Sequence, residues 1–167
     1  VFKHAIKVTD KKYPGFAIAH YNLGIALFND RLTHRNTEEA ISHFKMAIEL
    51  KPGYAAAHYN LGNVLSADRK TEEAIYHYKM AIELKPDSTA VHYHLGNALS
   101  AERKTEEAIY HYKMAIELKP EFAEAHYHLG NALSAEWKIE EAISHYKMAI
   151  ELKPEFAEAH YHLGNAL

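Results

Sequence analysis

The sequence predicts an all-α fold, an α-solenoid of stacked antiparallel helical hairpins. The first indication is a fixed period of 34 residues, marked by four prolines: Pro52, Pro86, Pro120 and Pro154. The second is the near-identity of neighbouring copies, because segments 89–122 and 123–156 differ at only six of their 34 positions. Units of this length contain helices that bury their apolar faces only when neighbouring units stack.

Each unit divides into two helical halves. In the last complete copy the first half spans 123–133 and the second spans 140–152. The second half repeats apolar residues at helical spacing: Ala142, Ile143, Tyr146, Ala149, Ile150 and Leu152. A Lys-Pro pair then ends this helix, since proline disfavours the helical conformation in the residue before it.

A glycine recurs inside the first helix, at Gly62, Gly96 and Gly130. A glycine inside a helix costs about 1 kcal/mol relative to alanine. We therefore expect a neighbouring helix to approach closely at each glycine. The small residues expected to face them are alanines of the second helix: Ala74, Ala108, Ala142, Ala81, Ala115 and Ala149.

Together these residues resemble the tetratricopeptide repeat (TPR) family. The copy that starts at Ala55 carries the family's pattern at Leu61, Gly62, Ala74, Tyr78, Ala81 and Pro86, and the other copies repeat it. The resemblance implies a right-handed superhelix. One departure recurs, because the family favours a large aromatic residue at the fourth position of the first helix. This chain has histidine there: His20, His58, His92, His126 and His160.

The spacing predicts a series of repeat units. We expect the end of a preceding repeat at 1–16, a repeat with a four-residue insertion at 17–54, complete repeats at 55–88, 89–122 and 123–156, and the first helix of a further repeat at 157–167. The insertion lies around 28–36, and a second group of four extra residues precedes Pro14. Either longer helices or longer loops would accommodate them. The chain is expected to be a segment of a longer array.

The TPR resemblance places the second, fifth, ninth and twelfth positions of each repeat on a concave groove. The predicted partner-binding residues are tyrosine, asparagine and serine: Tyr21, Tyr59, Asn60, Asn63, Ser66, Tyr93, Asn97, Ser100, Tyr127, Asn131, Ser134, Tyr161 and Asn165. An asparagine amide has a donor beside an acceptor, so it can pair with the backbone of an extended peptide. Tyrosine adds rigid apolar area with a polar tip, which is common at interfaces. Near-identical repeats also copy surface residues that bind nothing, so inheritance is the alternative.

The sixth position carries asparagine in two copies, Asn22 and Asn60. These two residues resemble the asparagine ladder of the TPR superhelix in O-linked N-acetylglucosamine transferase. Histidine replaces asparagine in the later copies, at His94, His128 and His162, so the ladder does not extend to them. Chaperone-binding members of the family use lysine at the fifth position, where this chain has tyrosine.

Two further groups are candidate contacts. Ile18, Ile25 and Phe28 form an apolar group in the first repeat, which fits a partner contact or packing against the lengthened helices or an upstream repeat. Trp137 and Ile139 replace the arginine and threonine of the other copies at the turn between helices. These two residues fit either a contact or local packing.

Composition excludes several classes of function. The formal charge is −3, from 19 basic and 22 acidic residues that are interspersed. Because the sequence has no block of basic residues to bind phosphate groups, nucleic-acid binding is not favoured. No cysteine is present, and no apolar run approaches the length of about 18 residues that a membrane span needs. The compartment stays open, with the cytoplasm the default expectation.

The chain contains 14 histidines. His92 and His94 are two residues apart, whereas a metal-chelating pair on a helix is spaced by four, so neither a metal nor another cofactor is expected. Histidines with ordinary pKa values of about 6.5 predict pH-sensitive stability or association below about pH 6.

No catalytic motif is recognisable. The acidic pairs that begin each second helix, such as Glu72 and Glu73, recur in three copies and suit the helix dipole. We therefore expect a non-catalytic scaffold that binds a protein or peptide segment in its concave groove. The alternatives are a structural subunit docked into a larger assembly through its edges or convex face, and the substrate-binding arm of a larger enzyme.

Overall fold

The computed structural model describes residues 15–30 and 34–167, and all regular secondary structure in this part of the chain is α-helical. The helices, numbered here in chain order, are α1 Gly15–Asn29, α2 His34–Leu50, α3 Ala55–Ala67, α4 Thr71–Leu84, α5 Thr89–Ala101, α6 Thr105–Leu118, α7 Ala123–Ala135, α8 Ile139–Leu152 and α9 Ala157–Ala166. This confirms the predicted all-α helical repeat solenoid.

The chain divides into two compact units, Val1–Pro86 and Asp87–Leu167. In the first unit α1 packs against α2, α2 against α3 and α3 against α4. In the second unit the same succession runs from α5 to α9. The first helices of consecutive repeats also touch: α1 contacts α3, and α7 contacts α9. Within each unit the helices therefore bury their apolar stripes against their neighbours in the sequence.

The core of each hairpin combines leucines from the first helix with small and aromatic residues from the second. In the hairpin of α3 and α4, Leu61 and Leu65 are completely buried, and Tyr78 is 1% exposed between buried alanines. The same positions are buried in the hairpins of α5 with α6 and α7 with α8. The 34-residue pattern thus reproduces one packing arrangement in every copy.

The glycines of α1, α3, α5 and α7 lie under an aromatic ring, not opposite an alanine as the sequence suggested. A Cβ atom added to Gly62, Gly96 or Gly130 would lie 2.6 Å from the ring of the tyrosine in the facing helix. At Gly24 the facing ring is that of Phe44, at 2.8 Å. The close approach was predicted correctly, but the facing residue was wrong. The alanines at 74, 108 and 142 are completely buried in the same hairpins.

The insertion in the first repeat lengthens a helix. Helix α2 has 17 residues, whereas α4, α6 and α8 have 14 each, and its additional residues precede the position equivalent to Thr71. The rest of the insertion falls between α1 and α2, where 31–33 lie outside the described residues. The extra residues predicted before Pro14 also lie outside them.

Candidate protein-binding face

The predicted groove residues lie on the first helices, α1, α3, α5, α7 and α9. We call the residues at the fifth, ninth and twelfth positions of each repeat the Tyr–Asn face. Its tyrosines on α1, α3, α5 and α7 are half-buried, whereas Tyr161 on α9 is 67% exposed. The asparagines of α3, α5 and α7 are half-buried as well, and Asn165 of α9 is exposed.

Each half-buried asparagine at the ninth position is tied to the buried tyrosine of its own hairpin. The hydroxyl of Tyr78 donates a hydrogen bond to Oδ1 of Asn63 over 2.8 Å. Tyr112 bonds Asn97, and Tyr146 bonds Asn131, in the same way over 2.9 Å. The twelfth-position serines bond to the same three hydroxyl groups: Ser66, Ser100 and Ser134. Burial raises the pKa of all three tyrosines, so the hydroxyls remain protonated donors.

This internal bond fixes which half of each amide faces outwards. Because Oδ1 accepts from tyrosine, the Nδ2 group is directed away from the hairpin core. No buried side-chain nitrogen or oxygen atom among the described residues lacks a hydrogen-bond partner. The Nδ2 groups of Asn63 and Asn131 are thus the halves of these amides that the tyrosines leave unoccupied. In α5, burial raises the pKa of Tyr93, and a hydrogen bond from Asn97 acts in the opposite direction.

Asn60, at the sixth position of α3, has the opposite amide orientation, with its nitrogen as the half that is bonded internally. Its Nδ2 group donates to the hydroxyl of Tyr21 over 3.1 Å and to the backbone oxygen of Ala56 over 3.0 Å. The amide oxygen is thus the half that is left for a partner. Asn60 and Asn63 lie on the same helix and offer an acceptor and a donor respectively.

Two tyrosines of the face pack against the last residue of their own repeat and the first helix of the next one. The ring centroid of Tyr127 lies 4.9 Å from that of Phe156 and 5.6 Å from that of His162. Tyr93 has the same relation to Phe122, at 4.8 Å, and to His128, at 5.6 Å. These rings are therefore fixed in position and present an edge and a hydroxyl group.

Sequence reasoning missed the role of the sixth-position histidines. His128 stacks on Tyr112 and His162 on Tyr146, both with centroids 5.9 Å apart. Burial lowers the pKa of His128, which favours its neutral form. The sequence signal was the replacement of asparagine by histidine at the sixth position. There both residue types contact the fifth-position tyrosine of the preceding repeat.

A second missed feature joins the two helices of each hairpin. The fourth-position histidine of the first helix and a histidine of the second helix approach through their Nδ1 atoms. The pairs are His20–His43 at 2.8 Å, and His58–His77, His92–His111 and His126–His145 at 3.0 Å. Burial, and then the neighbouring histidine, lower the pKa of His77 to about 4 and that of His145 below its usual value. Each member was visible in the sequence, but the pairing spans 19 or 23 residues.

The secondary contact candidates differ in exposure. Trp137 is 87% exposed and Ile139 is partly buried. Ile18 is half-exposed, whereas Ile25 and Phe28 are partly buried in the first hairpin. Trp137 also adopts a φ of 59°, a left-handed conformation shared by Arg69 and Arg103 at the same turn.

Other kinds of site find no support in the described part of the chain. None of its helices is both long and apolar enough to cross a membrane. No group of three or more potential metal ligands occurs among the same residues.

The repeated hairpins with an exposed polar and aromatic face define a helical-repeat scaffold for protein interactions. A profile described as "TPR repeat" matches residues 36–68, 103–135 and 138–167, and one described as "Tetratricopeptide repeat" matches 55–88. The chain therefore belongs to the tetratricopeptide repeat family. Modules of this family are typically non-catalytic and bind proteins or peptides.

Solved structures show the same fold. YrrB, described as a TPR protein with an unusual peptide-binding site, has a TM-score of 0.85 at 26% identity, over 99% of this chain and 81% of YrrB. MamA from Desulfovibrio magneticus RS-1 has a TM-score of 0.84 at 22% identity, over 95% of this chain and 84% of MamA. The Pseudomonas aeruginosa protein pilF has a TM-score of 0.77 at 22% identity, over 90% of this chain and 67% of pilF. A search of curated proteins found no match.

Proposed function

We propose that each of the two units binds an extended segment of a partner protein along its own residues of the Tyr–Asn face. The observation that carries this proposal is the fixed orientation of the asparagines. At Asn63 and Asn131 the tyrosine of the hairpin occupies Oδ1, so the half of the amide that is left unoccupied is an N–H donor. An extended chain offers a backbone carbonyl group as the matching acceptor.

The aromatic rings support the same ligand. Tyr93 and Tyr127 each pack against the phenylalanine that ends their own repeat and a histidine of the following repeat. A tyrosine that is already ordered loses little conformational entropy when a partner packs against it. No Lys or Arg occupies the fifth, ninth or twelfth position of these helices, so recognition of backbone and apolar groups is favoured over capture of a carboxylate or phosphate.

The first unit adds an acceptor to this set. Because Nδ2 of Asn60 is bonded to Tyr21 and to the backbone, its oxygen faces the partner, one turn from the donor of Asn63. A peptide unit also has one donor and one acceptor. YrrB, at 26% identity, is described as having a peptide-binding site, which makes a peptide the appropriate probe for this chain.

Substitution of asparagine by aspartate removes the hydrogen-bond donor offered to a peptide but keeps the internal bond from tyrosine. In Asn63→Asp/Asn131→Asp, an oxygen replaces each Nδ2 group, while the tyrosines still donate to the other oxygen. The probe is a 12-residue peptide selected from a random library on the native chain. With about 1 kcal/mol per lost hydrogen bond, we expect at least a tenfold weaker Kd. Asn165→Asp on exposed α9 is the matched control and should leave the Kd unchanged.

The exposed Trp137 favours a second candidate function, docking of the repeats into a larger assembly. A tryptophan that is 87% exposed at a helix–helix turn is a suitable interface anchor. Trp137→Arg restores the residue found at the same turn in the two preceding copies. Loss of partner binding in this variant, with unchanged binding in the double aspartate variant, would favour docking and contradict the peptide proposal.

A further inference from the structure

The buried histidine pairs have a defined direction of hydrogen bonding. Nε2 of His126 lies 3.0 Å from the backbone oxygen of Pro120. A carbonyl oxygen only accepts, so this Nε2 atom carries the hydrogen. A neutral imidazole has a single N–H group, so Nδ1 of His126 must accept, and the Nδ1 atom of His145 donates to it.

The same arrangement occurs in the first unit. His58 bonds to the backbone oxygen of Pro52 and meets His77 through Nδ1 over 3.0 Å. In both hairpins the second-helix histidine is therefore the Nδ1–H tautomer, and its Nε2 atom is left as the open position for a proton. His160 on α9 makes the equivalent bond to Pro154 over 2.8 Å, but it is exposed and has no histidine partner in the described chain.

We propose that the pairs His58–His77 and His126–His145 are proton-controlled latches that close their hairpins at neutral pH and loosen them in acid. The first proton adds to Nε2 of the second-helix histidine and leaves the Nδ1–Nδ1 bond intact. The second proton requires the Nδ1 atom of the first-helix histidine, which is the acceptor of that bond. Double protonation therefore separates the two rings and the two helices that they join.

The surroundings oppose the first proton. The charge of Lys45 on α2 acts against protonation of His77, and that of Lys113 on α6 acts against protonation of His145. Glu141, on the same helix as His145, acts in the opposite direction but is a weaker influence than burial, His126 and Lys113. Because the native state holds the pKa of these histidines below 6.5, the unfolded state binds more protons in mild acid. Stability is therefore complete above about pH 6.5 and falls as the pH decreases towards the native pKa.

The latch also supports the Tyr–Asn face. Contact between α7 and α8 places the ring of Tyr146 over Gly130 and its hydroxyl group on Asn131. If the hairpin loosens, Asn131 loses the bond that orients its donor. Acid should then weaken peptide binding, a consequence that rests on the proposed function, whereas the latch itself does not.

Nitrogen NMR tests the latch without a peptide. Long-range ¹H–¹⁵N spectra of the native chain at pH 7.5 should show His77 and His145 as Nδ1–H tautomers, and His58 and His126 as Nε2–H tautomers. Nε2–H signals for His77 and His145 would overturn the proposal. Because free histidine favours Nε2–H, this outcome is distinctive for the pair.

Unfolding of variants tests the consequence. His77→Gln/His145→Gln keeps a donor for each first-helix histidine but removes the position for the first proton. Between pH 7 and pH 5 we expect its Tm to fall by roughly 5 °C less than that of the native chain. The matched variant His160→Gln, which removes an unpaired histidine, should behave like the native chain. Equal Tm changes in all three proteins would contradict the latch. A pH-independent peptide Kd alongside the predicted tautomers would contradict only the link to binding.

Discussion

Helices α7 and α9 provide a comparison within one molecule, because residues 123–132 and 157–166 have the same sequence. In α7 the histidine is buried, and the glycine lies under the ring of Tyr146. In α9 the equivalent His160 is exposed, and a Cβ atom on Gly164 would meet nothing within 4 Å. The difference is the second helix, which packs against α7 and has no counterpart beside α9 in the described chain.

This comparison shows which properties of the Tyr–Asn face belong to the first helix alone. The residue types are the same on both helices, but the orientation of Asn131 depends on the hydroxyl of Tyr146. Asn165 is exposed and lacks this bond. The binding face is therefore a property of the complete hairpin.

Removal of the interhelical ring should have the largest effect on stability. Tyr146 is 1% exposed, and truncation of a buried aromatic residue costs about 3–5 kcal/mol. Tyr146→Ala should lower the free energy of unfolding by that amount in chemical denaturation. Tyr161→Ala on α9 removes a ring that is 67% exposed and should cost under about 0.5 kcal/mol. Equal losses in the two variants would contradict the comparison.

Addition of one methyl group to the glycine should destabilise the protein in α7 and stabilise it in α9. Gly130→Ala places a Cβ atom 2.6 Å from the Tyr146 ring, and overpacking of this kind costs about 1–3 kcal/mol. Gly164→Ala meets open space and should raise stability by up to about 1 kcal/mol through helix propensity. Thermal unfolding of both variants measures the difference. Stabilisation by Gly130→Ala would show that the ring does not press on the helix.

Removal of a single hydroxyl group should have a smaller effect. Tyr146→Phe leaves the ring over Gly130 but removes the bond to Asn131, at a cost of about 1 kcal/mol. The matched variant Tyr161→Phe should leave the free energy of unfolding unchanged. If both variants are neutral, the hydroxyl of Tyr146 does not hold Asn131.

The turn before α8 should give the smallest effect. Trp137 adopts a φ of 59° and is 87% exposed, so its side chain gains little from packing and its backbone is strained. Trp137→Asn should raise the free energy of unfolding by about 0.5 kcal/mol, since asparagine tolerates this conformation better. Trp137→Arg, with the residue of the other turns, should be neutral. Destabilisation by both substitutions would reveal a packing role for the indole.

Periodicity was sufficient to predict the hairpins, because a regular apolar pattern leaves few ways to bury it. The partner of each glycine was wrong, since spacing identifies a buried face but not which side chain across the interface fills the gap. The asparagines were predicted to offer both halves of the amide. Their bonds to Tyr78, Tyr112 and Tyr146 depend on distances between helices, which no single-helix pattern contains. The histidine pairs were missed for the same reason.

The central claim is that complete hairpins orient asparagine donors towards an extended peptide. Side-chain amide ¹H–¹⁵N signals of the native chain, recorded during addition of the selected 12-residue peptide, test it most directly. We expect the signals of Asn63 and Asn131 to shift and that of Asn165 to remain in place. A shift of the Trp137 indole signal with stationary signals for all three asparagines would contradict the claim.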